Sequence, residues 1–72
     1  MTEDLNRRGR ARMWRAVSRL PLWPREVFIL HAVDELDYPA VAERLGIGVA
    51  DVERELAEAI VRISRYLASD EE

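Results

Sequence analysis

The residues best suited to binding chemistry in this chain are arginines, which make up all eleven basic residues. A guanidinium stays charged at any physiological pH and binds phosphate or carboxylate through two parallel hydrogen bonds. Six of them lie close together near the amino terminus, namely Arg7, Arg8, Arg10, Arg12, Arg15 and Arg19. They could contact nucleic acid or an acidic partner, or they could form the solvated face of a helix, and the sequence leaves all three interpretations open.

Charge is divided unequally along the chain. Residues 1–25 hold seven arginines and two acids, a net charge of +5, whereas residues 26–72 hold four arginines and twelve acids, a net charge of -8. Together these give the overall net charge of -3. Since phosphate attracts positive charge, the second part of the chain is poorly suited to nucleic acid.

Catalytic and metal-binding patterns are not found in the sequence. His31 is the only histidine and there is no cysteine, so neither a zinc site nor a Cys-His pair can be assembled. No Ser-His-Asp set, Gly-rich phosphate loop or HExxH spacing occurs. We therefore expect a protein that is not an enzyme and has no cofactor or metal, with His31 in an exposed structural role.

The length of the chain indicates one small domain. A chain of 72 residues buries about 60% of its unfolded surface, and without cysteine its interior alone must stabilise it. Apolar runs such as residues 27–30 are far shorter than the roughly 20 residues that a membrane span needs, and no signal peptide opens the chain. We expect a cytoplasmic protein that does not bind membranes.

Ala42, Gly46 and Val52 have the spacing of a helix-turn-helix motif. A small residue at position 42 lets two helices approach, and Gly46 can end the first helix in a left-handed conformation that most side chains avoid. Val52 would fill the angle between the helices. This motif is typical of DNA-binding proteins.

Hydrophobic periodicity predicts four helices and no strands, so the expected fold is an all-α, four-helix domain. The helices are predicted at about Arg10–Leu20, Pro24–Val33, Tyr38–Leu45 and Val49–Leu67. Pro21 should end the first helix, and Asp37 should cap the third. The predicted organisation is a flexible segment 1–9, a domain 10–67 and an acidic tail 68–72.

Steps of three and four residues also predict which side chains are buried. On the first helix these are Met13, Trp14, Val17 and Leu20. On the fourth they are Val52, Leu56, Ala59, Ile60, Ile63 and Leu67. The exposed face of the fourth helix should carry ion pairs from Arg54 to Glu58 and from Glu58 to Arg62.

The segment LPLWPREVFILHAVDELDYPAVAERLGIGVADVEREL resembles region 4 of the bacterial sigma-70 family, in particular the extracytoplasmic-function sigma factors. The resemblance covers about residues 10–67 and rests on Leu20, Pro21, Arg25, Glu26, Val27, Phe28, Leu36, Tyr38, Ala42, Glu43, Arg44, Leu45, Gly46, Ile47, Val49, Val52 and Leu56. It implies a four-helix domain that docks on the flap of the RNA polymerase beta subunit and lays its last helix in the major groove of the promoter -35 element.

The resemblance implies a set of DNA-facing residues in and near the last helix. These are Ala50, Asp51, Glu53, Arg54 and Ala57, with Arg44 on the phosphate backbone. Residues 49–58 nevertheless hold four acids and one arginine, where relatives commonly carry Thr, Lys and Arg. Several acids near phosphates remove the counterion-release contribution to affinity, so promoter binding should be weakened.

A second interpretation is a protein-interaction module that binds an anti-sigma factor or the polymerase flap without DNA. Its partner-binding residues would be Trp14, Trp23, Phe28, Leu30 and Val41, in grooves between the helices. Trp14 is more typical of a core residue, whereas Trp23 lies in a turn and should be partly exposed. Without the promoter-melting region 2, the chain is expected to be a fragment, a free-standing region 4 or a sigma mimic.

Overall fold

The structure is a computed structural model that describes the backbone of residues 2–70 and the side chains of residues 7–69. The described part contains four α-helices and no strand. They are α1 (Thr2–Ser18), α2 (Leu22–Phe28), which continues into a π-helical segment (Ile29–Val33), α3 (Tyr38–Leu45) and α4 (Val49–Asp70). The predicted all-α, four-helix class is confirmed.

Helix α1 begins earlier than the sequence predicted, at Thr2 instead of about Arg10. Extending an existing helix gains one hydrogen bond per residue fixed, and Gly9 opposes this by only about 1 kcal/mol relative to alanine. At its carboxyl end the helix tightens, with Leu20 N donating to Val17 O at 3.0 Å before Pro21. The division into segments 1–9, 10–67 and 68–72 stays a prediction.

Helix α2 begins at Leu22, so Pro24 lies near its start as predicted. Pro24 is the third residue of the helix, within the first turn, where a missing N–H removes no intrahelical bond. The predicted end at Val33 is confirmed, but the last five residues are π-helical. Leu36 N then donates to Leu30 O at 3.1 Å, with Glu35 left-handed at φ 61°. This closure places a left-handed residue other than glycine at the end of the helix, with a hydrogen bond one residue wider than the 6→1 bond of a Schellman motif.

Helix α3 has the predicted limits and the predicted caps. The Asp37 carboxylate accepts a hydrogen bond of 3.0 Å from Ala40 N. At the other end Gly46 adopts φ 71° and ψ 34°, and Ile47 N donates to Ala42 O at 3.0 Å. The turn after Gly46 leads directly into α4, which forms the second half of the helix-turn-helix and extends three residues beyond the predicted end at Leu67.

Two hydrophobic clusters hold the helices, and α4 contributes to both. The first joins α2, the π-helical segment, α3 and the start of α4, through Val27, Leu30, Val41, Ala42, Val52 and Leu56. The second joins α1 to the later part of α4, through Ala16, Val17, Leu20, Ala59 and Ile63. Phe28 is partly buried and packs against both clusters.

Three residues predicted to be buried are exposed instead. On α1 the exposed fraction is 37% for Met13 and 48% for Trp14, and on α4 it is 52% for Ile60. Val33 is also exposed, at the end of the π-helical segment. Ile60 is rotated by about 100° from the fully buried Ala59, and the helices packed against α4 do not reach that flank. Leu67 is only partly buried.

We predict that Gly46→Ala lowers the free energy of unfolding by about 1–2 kcal/mol, because an L side chain in the left-handed conformation is strained. A Cβ at position 46 would meet no atom within 4 Å, so backbone strain alone should act. Gly9→Ala is the matched control: its site is equally open but helical, and it should raise stability by about 0.5–1 kcal/mol. Chemical denaturation measures both, and equal effects of the two variants would contradict this account.

Candidate DNA and partner interface

The exposed face at the start of α4 carries four of the predicted DNA-facing residues. Ala50, Glu53, Arg54 and Ala57 are all exposed. They follow steps of three and four residues, opposite the buried Val52. Arg44, the predicted phosphate contact, is exposed in the last turn of α3. The structure therefore leaves this set accessible at the helix-turn-helix.

Asp51 has a structural role that the sequence analysis missed. Its Oδ2 accepts a hydrogen bond of 3.1 Å from Gly48 N, just before the first residue of α4. This is one half of a capping box, in which a side chain at the third helical position reaches back to the cap N–H. Glycine at the cap offers no side chain, so an acid three residues later was the signal that could have revealed this arrangement.

The pKa of Asp51 is lowered from its ordinary value, mainly by the hydrogen bond from Gly48 and further by the one from Arg54. The carboxylate is therefore held ionised at the positive end of the α4 dipole. Because Asp51 stabilises the helix in this way, its charge serves the fold in addition to any role in recognition.

Arg54 is paired differently from the prediction. Its guanidinium donates to Asp51 Oδ1, one turn earlier, and not to Glu58. The second predicted pair is confirmed, since Arg62 donates to Glu58. Among the described side chains, Glu53 and Glu55 have no ion-pair partner. The start of α4 thus holds one arginine already engaged by a carboxylate and two glutamates without an ion-pair partner.

The amino-terminal arginines lie at the opposite end of α4. The second hydrophobic cluster packs α1 against Ala59 and Ile63, and Arg12 Nη2 donates to Leu67 O at 3.2 Å. Sixteen residues separate Leu67 from Asp51, which at 1.5 Å per residue is about 24 Å along the helix. Arg12 is therefore farther from Asp51 than the Debye length of about 8 Å at physiological salt, so its charge does not offset the carboxylate at the start of α4.

The predicted partner-binding residues divide into buried and exposed groups. Val41 is fully buried and Leu30 is 8% exposed, so neither can contact a partner unless the core opens. Their assignment to a groove was wrong because both belong to the first hydrophobic cluster. Trp14 and Trp23 are 48% and 43% exposed, and Phe28 is partly buried. The tryptophans are therefore the accessible members of this set.

A shallow pocket of about 280 Å³ lies between the start of α2 and the start of α4. It is lined by Trp23, Ile47, Asp51, Arg54 and Glu55. Trp23 was expected in a partner groove, and Asp51 and Arg54 were expected on a DNA-facing surface. That these residues share one pocket could not be predicted, because no local pattern reports the approach of two helix starts.

His31 is half-buried and holds the segment that follows the π-helical turn. Its Nδ1–H donates to Leu36 O at 2.9 Å, and its ring lies 5.0 Å from the Tyr38 ring between centroids. The expected structural role is in keeping with these contacts, although the side chain is less exposed than predicted. Among the side chains of residues 7–69, no group of three potential metal ligands is found.

The sequence profile of the family described as Sigma-70, region 4 matches residues 10–63, which is most of the chain. The chain therefore belongs to the sigma-70 region 4 family. This membership indicates a role in bacterial transcription initiation, and the assignment to the extracytoplasmic-function group stays a prediction. Neither curated proteins nor solved structures give a match. In the described part of the chain, the helices are too short or too polar to cross a membrane.

We predict that Asp51→Asn lowers the melting temperature by a few degrees at neutral pH, because the amide loses the charge that the helix end and Arg54 stabilise. Since the folded-state pKa is lowered, the stabilisation is fully present above the ordinary aspartate pKa. It is lost as the pH falls through the folded-state pKa. The difference in melting temperature between the two proteins should therefore shrink in acid. A difference that stays constant from neutral pH to pH 2 would contradict this assignment.

Proposed function

We propose that this sigma-70 region 4 domain acts in bacterial transcription initiation chiefly through a protein partner. The partner is the beta flap of RNA polymerase core or an anti-sigma factor, and binding to -35 DNA is weak. One observation carries the proposal: the exposed end of the helix-turn-helix is acidic and the basic helix is held at the other end of α4. A domain that binds polymerase would work in the cytoplasm.

Charge at the start of α4 favours a polypeptide over DNA. Glu53 and Glu55 beside phosphates would reduce the contribution of counterion release to the affinity for DNA. Arg54 would also have to break its ion pair with Asp51 to bind a base or a phosphate. A protein partner with basic side chains carries positive charge where DNA carries negative charge, so the same carboxylates would attract it.

The pocket between α2 and α4 supplies a specific docking point. The partly exposed indole of Trp23 lines the same pocket as Glu55. Together they suit a lysine or arginine side chain, which would gain a cation–π contact and an ion pair. Ile47 adds apolar surface for the aliphatic part of that side chain. We infer that a basic residue of the partner enters here.

We predict that Trp23→Ala and Glu55→Gln each weaken binding to the partner by about tenfold, the loss expected for one desolvated charged or aromatic contact. Isothermal titration with RNA polymerase core, and separately with an anti-sigma factor, measures the change. Glu43→Gln is the matched control because Glu43 is an exposed glutamate on α3, outside the pocket. The proposal fails if neither protein binds, or if the Glu43 and Glu55 variants bind alike.

The second candidate is direct reading of -35 DNA. It is favoured by the small side chains of Ala50 and Ala57, which flank Arg54 on the exposed face and leave room for base edges. Under this hypothesis Arg54 would contact a base and Arg44 a phosphate.

The two candidates are separated by exchanging Glu53 for Lys and Glu55 for Arg while the Asp51 cap is kept. We predict that the parent chain binds -35 duplexes weakly at low salt, and that the variant binds more tightly, with a steeper negative slope of log affinity against log salt. Gel shifts across a salt series measure both. Tight, salt-sensitive binding by the parent would favour the second candidate, whereas a variant that still fails to bind would show that charge is not the obstacle.

A further inference from the structure

Arginines converge on a second pocket, where the carboxyl end of α1 meets the later part of α4. The pocket measures about 230 Å³ and is lined by Ala16, Arg19, Leu20, Arg62, Arg65 and Tyr66. We propose that this pocket binds the phosphate or pyrophosphate group of a small molecule. The proposal does not depend on how the domain contacts DNA or polymerase.

The fold itself places three guanidinium groups around this cavity. Arg62 and Arg65 lie one turn apart on α4, and Arg19 reaches the same cavity from α1, because Ala16 and Leu20 pack in the second hydrophobic cluster. Burial of these two apolar residues therefore fixes the distance between the two helices. The cluster therefore fixes the backbone positions from which the three arginine side chains extend.

The charge of the cavity is only partly compensated. Glu58 pairs with Arg62, and Arg19 lies over the Tyr66 ring with its Cζ 5.0 Å from the ring centroid. Arg65 has no hydrogen-bond or ion-pair partner among the side chains that the structure describes. Three like charges around one concavity repel each other, and a dianion placed between them would remove that repulsion.

The chemistry and size of the cavity point to phosphate. A phosphate group presents several oxygens to arginine forks at once, and such charge-assisted hydrogen bonds are about twice as strong as neutral ones. The volume is smaller than the roughly 300–1,000 Å³ typical of sites that enclose a whole drug-sized ligand. The cavity therefore fits a phosphate or pyrophosphate end, while the rest of the ligand would lie outside. One face of the Tyr66 ring is covered by the Arg19 guanidinium, so that face is not available for stacking on a nucleotide base.

Titration of the isotope-labelled chain with pyrophosphate, at constant ionic strength, tests the proposal by NMR. We expect saturable shift changes in the amides of residues 16–20 and 62–66. Arg65→Gln should weaken binding by about tenfold, because it removes one charged hydrogen-bonding group. Arg10→Gln, which removes an exposed arginine of α1 outside the pocket, should bind like the parent. Arg62→Gln provides a second variant, and circular dichroism checks that each variant remains helical.

Inorganic phosphate and a nucleoside diphosphate, titrated in parallel, identify the source of the group. If the nucleotide binds more tightly than pyrophosphate, the pocket also recognises a part of the ligand beyond the phosphates. If the two bind equally, the pocket recognises the phosphates alone. Both results support the site. The proposal is overturned if shifts spread without saturation over all arginine-bearing segments, if Arg10→Gln and Arg65→Gln weaken binding equally, or if only duplex DNA shifts residues 62–66.

Discussion

The structure depends on one buried stripe of α4 that serves two hydrophobic clusters. Val52 and Leu56 pack against α2 and α3 and so set the angle of the helix-turn-helix, whereas Ala59 and Ile63 hold α1. A domain of this size is marginally stable, and each fully buried aliphatic side chain contributes about 1.5–3 kcal/mol. Because the clusters follow one another along a single helix, α1 cannot approach the start of α4 without losing its own core.

This arrangement separates the charges of the molecule. The basic helix is fixed beside residues 59–67, and the uncompensated acids lie at residues 53 and 55. The separation creates two sites of opposite character on one helix, an acidic pocket beside Trp23 and a cavity lined by three arginines. Because salt screens exposed charges that are farther apart than one Debye length, a charged ligand at one site would have little electrostatic effect on binding at the other.

Sequence reasoning predicted the fold well where the determinants are local. The left-handed Gly46, the Asp37 cap and the limits of α3 each follow from one residue and its near neighbours. It failed where burial depends on which helix lies opposite. Trp14 and Ile60 have the right period for a core, yet no helix covers them, and Leu30 and Val41 were assigned to a groove although they are core residues. The two pockets could not be predicted at all, because each joins residues that are far apart in the chain.

Asp51 links stability to recognition at the start of α4. The Asp51 carboxylate accepts a hydrogen bond from Gly48 N and another from Arg54, so both of its oxygens are engaged within the fold. Since Gly48 provides no capping side chain, replacing Asp51 by a basic residue would leave that N–H without its acceptor and place a positive charge at the positive end of the helix dipole. A basic residue at position 51 would therefore require a Ser or Thr at position 48 as well. The charge at position 51 is thus tied to the cap of α4, whereas the charges at positions 53 and 55 can be changed while the cap is kept.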